Sequence, residues 1–124
     1  MRQNTLGIRL RSPTILLVLV LMLWHDTSFA APALGANCGA GATISGSDLA
    51  GKVTIGAGTV SVCALTFASA FANAPACTGM NEGSGGRPGP VGAKSTTTTL
   101  LLDGTARNGS LAEGDVISYI CVTY

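Results

Sequence analysis

The sequence predicts an all-β domain, a small antiparallel β-sandwich of jelly-roll or immunoglobulin-like type, stapled by disulfides and preceded by a signal peptide. Three observations carry this. Short runs with two-residue alternation recur through the second half of the chain, separated by glycine-rich turns. No window shows sustained helical spacing. Four cysteines, an even number, all lie after a segment that reads as an export signal.

That segment comes first. Arg2, Arg9 and Arg11 form a positive n-region, residues 15–24 (ILLVLVLMLW) an apolar run, and Ser28-Phe29-Ala30 a small-x-small cleavage pattern. Thr14 and His25-Asp26 bound the run. A retained membrane anchor needs about 20 apolar residues, so cleavage after Ala30 is the expectation. Ala31-Pro32-Ala33 gives a second-choice site. The expected location is secreted or periplasmic, with no stable membrane insertion after cleavage.

Cleavage would change the charge balance. The whole chain has formal net charge +1. After residue 30, Lys52, Arg87, Lys94 and Arg107 face Asp48, Glu82, Asp103, Glu113 and Asp115, a net charge of −1. So balanced and charge-poor a domain has no basic footprint for nucleic acid. Low charge also leaves association unopposed.

In chain order, residues 31–42 are rich in alanine and glycine and read as a flexible lead-in to a domain spanning 43–124. Residues 52–55 (KVTI) form a short strand. In 59–67 (TVSVCALTF), Cys63, Leu65 and Phe67 share one face and Val62, Ala64 and Thr66 the other. Residues 68–74 could make one helical turn, which Pro75 would end. Residues 76–81 form a weaker strand and 96–102 (TTTTLLL) a β-branched, then apolar one. Residues 116–122 (VISYICV) give the strongest signal. Both faces of this strand are largely apolar, which places it centrally in its sheet or covers it on both sides. Turn chemistry falls at Gly56-Ala57-Gly58, Asp103-Gly104, Asn108-Gly109 and Glu113-Gly114-Asp115. Residues 82–92 (EGSGGRPGPVG) read as a mobile surface loop, and Glu82, Arg87 and Lys94 in and beside it are the candidate binding residues.

Four cysteines allow three connectivities. The expected pairing joins Cys63 to Cys77 across a hairpin-like connection and Cys38 to Cys121, tying the lead-in to the last strand; spacing leaves the others open. In the chain-entropy model the short loop would contribute about 3 kcal/mol and the long one about 4.5 kcal/mol. A zinc site is disfavoured, because no cysteines stand at C-x-x-C spacing and no histidine follows His25.

No catalytic set or cofactor site is expected. With His25 in the signal segment, Ser-His-Asp and Cys-His arrangements are excluded from the rest of the chain. Gly92-Ala93-Lys94-Ser95-Thr96 breaks the phosphate-loop pattern at Ala93. Gly39-Ala40-Gly41 and Gly56-Ala57-Gly58 lack the third glycine of a dinucleotide fingerprint. Asp103, Glu113 and Asp115 all fall near turns, and as paired carboxylates they would be the acid and base of a small hydrolase. Acidic residues beside turn glycines are more often turn formers. Asn108-Gly109-Ser110 matches the N-glycosylation pattern.

Five blocks carry a resemblance: Ile44-Ser45-Gly46-Ser47-Asp48 with residues 50–56 (AGKVTIG); Cys63-Ala64-Leu65-Thr66-Phe67; residues 71–77 (FANAPAC); Asn81-Glu82; and residues 111–121 (LAEGDVISYIC). In their order and spacing, residues 44–124 resemble a small head domain at the C-termini of bacteriophage tail-fibre-like proteins, found also as short secreted bacterial hypothetical proteins. The resemblance implies a compact β-sandwich-like head, able to trimerise in fibres and used for structure or surface recognition, and carries no catalytic residue. Three features depart from it. The sequence shows no repetitive shaft and carries a signal peptide that a phage fibre does not need; residues 103–110 also look longer than the family's usual turn.

The expected function is therefore a secreted, non-enzymatic β domain for surface recognition or structural assembly, with a glycan or protein ligand and a homotrimeric state in prospect. The alternative is the carboxylate hydrolase. Phe67 and Tyr119 are expected in the core and Tyr124 at a free end. With Trp24 in the signal segment, few rings remain for stacking on sugars.

Overall fold

The computed structural model describes residues 30–84, 87–107 and 109–124. The signal-peptide reading and the asparagine of the glycosylation pattern, Asn108, lie outside them. Among the described residues eight strands form: β1 (Ala33–Leu34), β2 (Thr43–Gly46), β3 (Ala50–Thr54), β4 (Val62–Thr66), β5 (Ala76–Asn81), β6 (Gly89–Ser95), β7 (Thr99–Asp103) and β8 (Val116–Val122), with 3₁₀ turns at Ala36–Cys38 and Gly104–Arg107. All pair antiparallel, in the order β1-β4-β7-β6-β5-β8-β3-β2. The all-β expectation holds. The architecture is one sheet bent nearly into a barrel, whose edge strands β1 and β2 approach each other.

The bend is made by β6. Gly89–Val91 pair with β5, and residues 92–95 pair with β7. A strand that changes partner along its length turns the sheet through a corner. Pro90 lacks a donor, which a strand with one side open at that point tolerates. Gly79 in β5 lies opposite Val91. A Cβ on Gly79 would stand 2.6 Å from Val91 Cγ2 and 3.2 Å from Leu102 Cδ2, so its missing side chain lets the corner close over the core.

The core lies inside the bend. Alternation in β4 buries Cys63 and Leu65, and Phe67 follows just beyond. Leu100 and Leu102 of β7, Val53 of β3 and Ile117 and Tyr119 of β8 fill the remainder. Phe67 and Phe71 meet edge to face at 4.8 Å. β8 is central, between β5 and β3. Only one of its faces is covered, since Ile120 and Val122 are 57% and 61% exposed.

Several expectations are corrected. Residues 31–42 are not a loose lead-in: β1 pairs with β4, Gly35 N–H donates to Ala64 O, and Asn37 Oδ1 accepts from Ala64 N–H. Residues 68–74 form no helical turn; the Asp48 carboxylate accepts the N–H groups of Ala68 and Ser69, and Phe71 N–H donates to Thr97 O. The expected loop 82–92 ends inside β6, and the expected strand 96–102 begins as a turn, with β7 starting at Thr99.

The disulfides are Cys38–Cys63 and Cys77–Cys121, not Cys63–Cys77 and Cys38–Cys121. A hairpin between β4 and β5 would have brought Cys63 to Cys77, but those strands do not pair. β4 lies between β1 and β7, whereas β5 lies between β6 and β8. Cys77 and Cys121 are direct cross-strand partners. With sequence separations of 25 and 44, the two bonds contribute about 3.5 and about 4 kcal/mol in the chain-entropy model. That is substantial beside a total of roughly 5–15 kcal/mol for a domain.

Tyr119 ties β8 to the β2–β3 turn. Its hydroxyl donates to Ser47 O at 2.6 Å. Gly51, its cross-strand partner, leaves room for the ring, since a Cβ there would lie 2.6 Å from Tyr119 Oη. Burial, and secondarily the Asp48 carboxylate, pushes the Tyr119 hydroxyl up to about 12. Raised above its unfolded value of about 10, this group stabilises the fold fully below pH ~10 and loses that contribution as pH rises through 12. Tyr119→Phe should cost about 0.5–1.5 kcal/mol near neutrality. The gap to wild type, followed by denaturant unfolding, should hold up to pH ~10 and close as pH approaches 12.

Candidate functional site

Where β5 ends and β6 begins, the 3₁₀ turn after β7 and the segment leading into β8 enclose a cavity of about 380 Å³. Asn81, the last residue of β5, and Asp115, just before β8, line it, and both are buried, at 6% and 1% exposure. Arg87 and Ser110 are exposed at the cavity, and Val91 and Leu111 supply apolar wall. Gly89, Gly104 and Gly109 complete the lining, so backbone rather than side chain forms much of the surface.

The buried groups are held by the backbone. Asn81 Nδ2 donates to Asp115 Oδ2 at 2.8 Å, and the same oxygen accepts Ala112 N–H at 2.9 Å. Asp115 N–H in turn donates to Ala112 O, closing the turn into β8. Asn81 Oδ1 accepts Gly83 N–H at 2.8 Å. Asn81 is the cross-strand partner of Ile117, which carries its amide to the carboxylate two residues earlier in the chain. Among the described residues no buried side-chain polar atom lacks a partner.

The candidate binding residues separate. Arg87 lines the cavity. Glu82 does not; its carboxylate pairs with Lys52 Nζ at 2.9 Å across an exposed face. Lys94 is exposed on β6, where its charge acts on Asp103. Asn81 and Ser110 were not singled out from sequence; the Asn81-Glu82 and Asn108-Gly109-Ser110 patterns flagged their neighbourhoods without assigning them a cavity.

The three turn carboxylates have separate structural settings. Hydrogen bonds from the Thr105 hydroxyl and N–H, with the nearby Lys94 charge, hold Asp103 below the usual carboxylate range. An ionised, stabilised carboxylate is the wrong form for a general acid, which needs a raised pKa. Glu113 is exposed in its turn, and Asp115 is engaged by Asn81 and Ala112. Among the described residues no group of His, Cys, Asp and Glu could hold a metal ion.

A structural Asp115 makes a stability prediction. Asp115→Ala should strip Ala112 N–H and the buried Asn81 Nδ2 of their acceptor and cost about 1–3 kcal/mol in thermal or denaturant unfolding. Glu113→Ala, on the exposed side of the same turn, should stay within about 0.5 kcal/mol of wild type.

No family model matches the chain, and neither a curated protein nor a solved structure matches it. Nothing in these comparisons identifies it as a tail-fibre head domain.

Proposed function

We propose that this chain is an exported, non-enzymatic β domain that recognises a ligand on a surface through the cavity between β5, β6 and the segment leading into β8. One observation carries the reading. The buried carboxylate and amide of the cavity are committed to holding its walls, while the polar groups at its mouth, Arg87 and Ser110, make no hydrogen bond or ion pair among the described residues. Fixed walls with free polar groups at the opening suit binding. The two disulfides fit an oxidising compartment, as export requires. No helix among the described residues is long and apolar enough to cross a membrane.

A second reading, structural assembly, is favoured by the outer face of β5, β8 and β3. Met80, Ile120 and Val122 are 48–61% exposed there. Ile120 has Thr78 and Ala50 as cross-strand partners, and Val122 has Ala76. The Lys52–Glu82 pair neutralises itself at the margin. An uncharged patch of this kind is a candidate contact between copies, consistent with the trimer implied by the fibre-head resemblance.

The recognition reading is tested on a panel of immobilised surface glycans and proteins. Wild type should bind a subset, and the double variant Arg87→Ala/Ser110→Ala, folded by circular dichroism, should lose about tenfold or more in affinity, the effect of removing two polar contacts. Equal retention of the two proteins would refute it. The assembly reading predicts a trimer by light scattering after gel filtration without reductant, shifted toward monomer by Ile120→Lys; a wild-type monomer would refute it.

A further inference from the structure

The cavity favours one kind of ligand. The side-chain polar atoms left uncommitted there are donors. Arg87 contributes five N–H groups in a planar fork, Ser110 one hydroxyl, and Asn81 the second hydrogen of its Nδ2, the first being given to Asp115. Asp115 Oδ2, the buried acceptor, already takes two hydrogens. A donor-lined space calls for a ligand rich in acceptors. The guanidinium fork matches a carboxylate in bidentate geometry.

Charge and size narrow the choice. A phosphate dianion would call for a second cation or a run of free backbone N–H groups, and Arg87 is the one cationic residue among the described lining. The volume of about 380 Å³ falls at the small end of ligand sites, near ~300 Å³. It suits one ring-sized unit rather than an extended chain. Among the described lining residues none is aromatic, so a bound ring would be held by hydrogen bonds, with Val91 and Leu111 offering a small apolar contact. Hydroxyl groups on the ligand would meet Ser110 and the spare Asn81 N–H.

Resting on the recognition reading, we infer that the cavity takes a carboxylate-bearing sugar unit, with Arg87 on the carboxylate and Ser110 and Asn81 on ring hydroxyls. Arg87 is exposed and outside any strand, so its replacement leaves the fold intact.

The test uses D-glucuronate, D-glucose and acetate as probes, titrated into the exported protein and followed by ¹H–¹⁵N spectra. Glucuronate should shift the amides of Asn81, Gly89 and Ser110 and bind at least about fivefold more tightly than glucose or acetate, the scale of an exposed charge-assisted contact. Arg87→Gln should abolish the preference over glucose, and Arg87→Lys should restore part of it. Equal affinity for glucuronate and glucose, or a preference that survives Arg87→Gln, overturns the inference. Acetate binding as tightly as glucuronate overturns its sugar component. If neither sugar binds but the immobilised panel is still bound through Arg87 and Ser110, this inference fails and the recognition reading stands. If the panel is also blank, both fall.

Discussion

The antiparallel register between β5 and β8 is the constraint on which the rest of this structure depends. It sets Cys77 directly against Cys121, so one disulfide locks two strands that are already hydrogen-bonded. At the other end it sets Asn81 against Ile117, within reach of Asp115, and thereby builds the floor of the cavity. Slipping the pair by one residue would turn Ile117, Tyr119 and Cys121 out to solvent and bring Ile120 and Val122 inward. It would also take the Tyr119 hydroxyl from Ser47 O. Covalent bond, core and cavity thus share one register.

Buried polar groups in this domain work as braces. Asp48 holds the connection between β4 and β5 through two backbone N–H groups, and Asp115 holds the turn into β8. Each occupies a place where the chain leaves its sheet and backbone donors have no strand partner. A small core leaves little margin for such losses. Braces of this kind, with two disulfides, hold a short-stranded sheet in one geometry. They also account for carboxylates beside glycine turns without invoking catalysis.

Legibility in the sequence varied with how local the signal was. β5 and β8 stand where their patterns place them, and the alternating residues of β4 fall on the expected faces. β1 and the start of β6 were missed, because alanine, glycine and proline have low strand propensity, and β2, four residues long, was not singled out as a strand within the β-patterned region that begins at Thr43. Those segments are held in the sheet by neighbours: Leu34 by Leu65, Ile44 by Val53, and Pro90 by Met80. Of the candidate binding residues, Arg87 reached the cavity and Glu82 was captured by Lys52, thirty positions away in sequence.

By itself the sequence determined an all-β chain, its strongest strands, and a framework of four cysteines, since alternation, turn glycines and cysteine parity are written locally along the chain. Tertiary structure alone decided the order of strands, and with it the pairing of Cys38 with Cys63 and of Cys77 with Cys121. It also decided that Asn81, Arg87, Ser110 and Asp115 share one cavity. The physical reason is that these contacts join segments distant along the chain. Their proximity is set by how the whole sheet coils to bury its apolar face, a property no single segment carries.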